Sequence, residues 1–137
     1  MSTESLRTAG IILVIYPTVV LGGVSILWLW ITRRAPYYRD HPLRQRLWAA
    51  GHAHAGVLLI LSLVALLLVD QANLSPGLQQ VARTAFPVSA ILLPAAYFLS
   101  VVRKAEPPSR LINLAYLGAA SLSTGMLVLG IGLLRSI

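Results

Sequence analysis

WAAGHAHAGVLLILSLVALLLV, running from Trp48 to Val69, is a stretch of 22 residues without a single charged side chain. It is apolar on every side of a helix rather than along one stripe, the pattern of a segment whose solvent is lipid. At 1.5 Å per residue such a helix reaches roughly 33 Å, enough to cross a hydrocarbon core of about 30 Å. The stretch therefore predicts a transmembrane helix. Working outward, three further apolar blocks of similar length occupy residues 8–32, 81–102 and 111–134. The expectation is an all-α, integral membrane four-helix transmembrane bundle with up-down topology, the whole chain 1–137 forming a single transmembrane domain.

Composition agrees. The 137 residues are 57% hydrophobic and 11% charged, too much apolar surface for a soluble domain of this size to hide. There are no cysteines, which removes disulfides and thiol chemistry. Met1 to Ala9 has neither the basic start nor the small-residue cleavage pattern of a secretory signal, so the first block is expected to remain as a mature helix.

The net charge of +7 is concentrated in two connections. The first holds Arg33, Arg34, Arg39, Arg44 and Arg46 against Asp40; the third holds Arg103, Lys104 and Arg110 against Glu106. That is eight of the eleven basic residues, with Arg7, Arg83 and Arg135 on the opposite side. The positive-inside rule puts these connections in the cytoplasm, and both termini and the loop from Asp70 to Gln80 on the non-cytoplasmic side, most simply of the inner (plasma) membrane. Trp28, Trp30, Tyr37, Tyr38 and Trp48 form an aromatic group at the same boundary. The arginines are expected to meet the lipid bilayer at its anionic headgroups; no aromatic or fold pattern suggests nucleic acid.

Pro17, Pro87 and Pro94 fall inside apolar blocks, where each frees a backbone carbonyl and marks an expected kink. The fourth block carries Gly118, Gly125 and Gly132 at a seven-residue repeat, with Ser121 on the same seam. Small residues at that spacing admit a second helix closely, either within the chain or in a homo-oligomer or larger membrane complex. A related seam in the second block comprises Ala49, Ala53 and Gly56.

Chemistry concentrates in Gly51-His52-Ala53-His54-Ala55-Gly56. Ionisable residues inside a span face a bundle interior or a cavity. Two residues apart on a helix, the histidines point about 200° away from each other, so they cannot chelate one metal ion. They can serve two sites on opposite sides of the helix.

The segment resembles the His-x-His-x-Gly ligand helix of haem-copper oxidases and nitric oxide reductases, in which the two histidines of one helix ligate two haems. The resemblance covers His52, His54 and Gly56. It implies the capability to ligate a haem-type cofactor and no enzymatic activity, since the further histidines of those enzymes are missing. Tyr97, Ser100, Asn113 and Tyr116 fall at a similar depth as a candidate polar cluster.

Three roles follow for the pair: hydrogen bonds between helices, ligation of haem within a small binding or accessory protein, or passage of protons or a small solute through a homo-oligomeric channel or transporter. Against passage, no carboxylate lies within any block. No nucleophile with an adjacent base is present, so no catalytic residue is assigned.

Overall fold

The computed structural model describes residues 1–103 and 106–137; Lys104, one of the basic residues of the third connection, lies outside them. The chain is all-helical. In order it forms α1 (Thr3–Thr32), a four-residue α2 (Pro36–Arg39), α3 (Pro42–Val69), α4 (Pro76–Leu99), a 3-10 turn (Arg110–Asn113) and α5 (Leu114–Leu134). The four long helices are apolar enough and long enough to cross a membrane.

Their ends differ from the apolar blocks for local reasons. Pro42 and Pro76 occupy the first turns of α3 and α4, where a proline's missing amide costs nothing and its fixed φ favours the helix. Each helix thus begins five or six residues before its apolar block, in a polar turn that hydropathy does not register. α1 begins at Thr3 because the Ser2 hydroxyl accepts the Ser5 amide at 3.2 Å, and Glu4 lies in the first turn. A leading proline, Pro36, likewise starts α2, inside what reads in the sequence as a basic loop. α1 and α4 continue through Pro17, Pro87 and Pro94.

α4 is the hub. It packs along both α3 and α5, whereas α1 lies chiefly against α3 and leaves most of its surface exposed. One apolar cluster joins Ile12, Leu58, Leu59, Leu66, Ala90 and Leu93; a second joins Ala65, Val69, Ala72, Ala82, Phe86 and Leu129. α3 divides its leucine-rich half accordingly: Leu58, Leu59, Leu66 and Val69 face inward, while Ile60, Val64 and Leu67 form an exposed strip.

The glycines of α5 lie against α4 and the loop before it. A β-carbon on Gly118 would meet Leu93 at 2.8 Å, one on Gly125 would meet Ala85 at 2.9 Å, and one on Gly132 would meet Leu74 at 2.5 Å. Between them the Ser121 hydroxyl donates to the Ala85 carbonyl at 2.9 Å. The seam is thus occupied within the chain. On α3 the small residues that receive a neighbour are Gly51 and Gly56, while Ala53 is exposed.

At the end holding α2, Arg44 is buried at 2% exposure and forms no ion pair among the described residues. Its guanidinium donates to the carbonyls of Val101 (2.9 Å), Val102 (3.5 Å) and Tyr37, and lies 3.5 Å from the centre of the Tyr37 ring. It sits just beyond the C-terminal end of α4, on the turn that follows Leu99, where a cation is favoured by the helix dipole. Arg44 therefore fastens α2, α3 and α4 together, while Arg33, Arg34, Arg39, Arg46, Arg103 and Arg110 remain exposed.

The packing predicts a contrast between two glycines of one helix. Gly125→Ala forces α4 and α5 apart and should cost about 1–3 kcal/mol of stability in detergent, whereas Gly130→Ala should be neutral or stabilising. No atom lies within 4 Å of a β-carbon at Gly130. Equal thermal stability of the two variants would show the seam to be loose.

Candidate functional site

His52 and His54 sit about three turns into α3, on its two flanks. His52 lies against α1, where consecutive glycines make room for its ring: a β-carbon at Gly23 would fall 2.6 Å from Nε2, and one at Gly22 would fall 4.0 Å from Nδ1. The close approach of imidazole to α1 backbone thus requires glycine at position 23. His54 points the other way, towards α4, its ring 5.1 Å from that of Tyr97 and tilted by 57°.

The flanking small residues hold the protein's own rings. The Phe98 ring lies over Gly51, with atoms 3.1–3.2 Å from where a β-carbon would be, and Tyr16 and Val19 of α1 come within 4.0 Å of that point on Gly56. Trp48 completes this aromatic layer beside Tyr37, Tyr38 and Phe98, and its indole N–H is buried without an acceptor among the described residues. The flat seat that small residues offer beside the histidines is filled by Phe98 and α1.

The two imidazoles are not equivalent in chemistry. His54 Nδ1 lies 2.8 Å from the Ala50 carbonyl, one turn back. A carbonyl can only accept, so this contact puts the proton on Nδ1 and leaves Nε2 as the basic nitrogen. That arrangement, with one ring nitrogen anchored to backbone and the other free, is how a histidine is oriented to ligate. His52 makes no side-chain hydrogen bond among the described residues, and its Nε2 abuts α1, leaving no room there for an axial bond to a macrocycle.

Of the candidate polar cluster, Tyr97 is the member brought to a histidine. Ser100 is buried and its hydroxyl turns back to the Tyr97 carbonyl at 3.4 Å. Asn113 closes the 3-10 turn and is exposed, and Tyr116 is 76% exposed on the outer face of α5. Depth along a helix is legible from sequence, but the angular position of one helix against another is not, and it separates Asn113 and Tyr116 from the site. Among the described residues no three histidine, aspartate or glutamate side chains come together in a group able to hold a metal ion.

A second polar centre, at the other end of α3, escapes a residue-by-residue reading. Arg83 of α4 donates to Asp70 at 2.7 Å, to Glu4 at 2.8 Å and to the Ser5 hydroxyl at 3.2 Å. Asp70 also accepts from the Ser2 backbone amide and, at 3.2 Å, from the Ser5 hydroxyl. The first turn of α1 is thereby tied to the end of α3 and the start of α4. The sequence signal was available only as a lone acid and a lone base thirteen residues apart, at the edges of two blocks.

Burial alone would raise the Asp70 carboxyl, but the hydrogen bonds from Arg83, Ser2 and Ser5 outweigh it and hold the group down at about 2.

No protein-family model, curated protein or solved structure matches the chain.

The Asp70 network carries a pH dependence. A carboxyl depressed from 3.8 to about 2 contributes stability that is fully present above pH 4 and lost as the pH falls through 2. Thermal melts of the detergent-solubilised protein should decline between pH 4 and 2, by about 1–2 kcal/mol after allowance for solvent screening. Asp70→Asn should be less stable at pH 7 and flat across that window. A wild-type protein as flat as the variant would show that the network adds nothing.

Proposed function

We propose that the chain is a small multi-pass protein of the inner membrane, its four long helices crossing up and down with both termini on the non-cytoplasmic side. The contacts between ends support the antiparallel order: the start of α1 meets the end of α3 at Asp70, and Asn73 before α4 donates its amide to Gly132 near the end of α5 at 3.0 Å. The arginines of α2 and its flanks supply the cytoplasmic charge.

Within that frame its role is that of a binding or accessory protein, with His54 as the group that meets a ligand. The observation that carries this role is the Nδ1 contact to the Ala50 carbonyl, which places a proton on Nδ1 and so assigns Nε2 as the nitrogen that would ligate. A haem-type cofactor is the ligand class such a nitrogen suits inside a membrane, and His54 is the residue of this chain that would hold it. Because Phe98 and α1 fill the seats at Gly51 and Gly56, the cofactor would have to reach the half-exposed side of the His54 ring. His52 has a different task, as the wedge that seats α1. Tyr97 beside His54 sets the ring's orientation.

The test is a visible spectrum of the protein purified after haem supplementation. The wild type should show a Soret band, His54→Ala should lose it, and His52→Ala should keep it while melting at a lower temperature. Loss of about half the band in each single variant would instead mean two ligated haems, contrary to the geometry of His52. A colourless wild type would remove haem as the ligand.

A further inference from the structure

A cavity of about 560 Å³ opens where α1 ends and α2 begins, lined by Leu29, Trp30, Arg33, Tyr38, Arg39, Pro42 and Gln45. Its polar groups are unequal. Arg39 is engaged with Asp40 through two hydrogen bonds of 2.6 and 3.0 Å, and the Gln45 amide donates to the carbonyls of Tyr38 and Arg39. Arg33 pairs with no carboxylate among the described residues. Tyr38 is 1% exposed, and its hydroxyl accepts the Trp30 indole N–H, which leaves its own proton without an acceptor among the described residues.

The backbone gives a further indication. Arg33 caps α1 in the left-handed conformation, φ 50°, where glycine is the default. That turn ends α1 and brings the chain round to α2, which sets Arg33 on the cavity wall. A free guanidinium, an unused hydroxyl proton and an indole wall together suit a phosphate anion.

We propose that this cavity is a binding site for the phosphate of an anionic phospholipid. Of the two sources of that chemistry, lipid or free phosphate, the surroundings favour lipid. Leu29 and Trp30 form the α1 wall of the cavity and Trp30 is 52% exposed, so an apolar ring stands at the mouth where acyl chains would leave a seated headgroup. The site rests on the membrane reading above and sharpens its general headgroup contact into one addressed by Arg33.

Native mass spectrometry from micelles holding equal phosphatidylglycerol and phosphatidylcholine tests it. The wild type should retain phosphatidylglycerol preferentially, Arg33→Gln should reduce that retention about fivefold, the weight of one basic residue at an anionic surface, and Arg33→Lys should restore most of it. Arg103→Gln, which removes an exposed arginine outside the cavity and only a general headgroup contact, should reduce retention clearly less than Arg33→Gln. Equal losses in Arg33→Gln and Arg103→Gln, or no lipid preference in the wild type, would overturn the site. Displacement of the lipid by an equal concentration of inorganic phosphate would assign the cavity to free phosphate and overturn the lipid claim. Flotation with phosphatidylcholine vesicles after alkaline extraction separates the two levels: protein that floats without preference loses the site alone, whereas protein that fails to float loses the membrane reading beneath it.

Discussion

Apolar helices in hydrocarbon gain nothing by hiding from their solvent, so they stay together only where their backbones approach closely or polar groups meet. On the proposed membrane reading, the helices here meet that constraint through small residues. α5 brings Gly118, Gly125 and Gly132 onto α4 and its preceding loop, Gly51 of α3 takes the Phe98 ring of α4, and Gly23 of α1 takes the His52 ring of α3. Each junction pairs an absent side chain with a present one. Ser121 adds one hydrogen bond between α5 and α4, to the Ala85 carbonyl two residues before Pro87. Remove the small residues and the dispersion contacts that hold α4 as a hub go with them.

Two polar clasps finish what packing begins, one at each end of the long helices. Arg44 ties the turn after α4, through the Val101 carbonyl, to Tyr37 of α2. Arg83 joins Asp70, Glu4 and Ser5, fixing the start of an α1 that has little other contact with α4. Between the clasps the histidines divide their labour, His52 completing the α1–α3 contact and His54 offering a basic nitrogen on the other flank. The site proposed at His54 would thereby be set on a helix rather than on a loop.

The four long helices were legible in the sequence because hydropathy and length are properties of each segment alone. The glycine register of α5 was legible for the same reason, since a seven-residue repeat returns to one face. Relations between segments were not. Arg44 reads as one more arginine in a basic loop until the carbonyls of Val101 and Val102 are brought to it, and Asp70 and Arg83 read as boundary charges until the helix ends meet. Gly22 and Gly23 look like two poor helix formers until His52 is laid against them. For the histidine pair, helical spacing gave the opposed directions, but only the packing distinguishes a ring pressed on α1 from one with a free nitrogen.

The account stands on four spans with the arginine-rich end in the cytoplasm, and cysteine labelling in intact cells tests that most directly, since the native chain has no cysteine. Ser75, ahead of α4, and Ser109, ahead of the 3-10 turn, are both exposed and lie at opposite ends of the long helices. An impermeant maleimide should label Ser75→Cys in intact cells and Ser109→Cys only after permeabilisation. Labelling of Ser109→Cys with Ser75→Cys protected would reverse the orientation, and labelling of both in intact cells would contradict the four-span account.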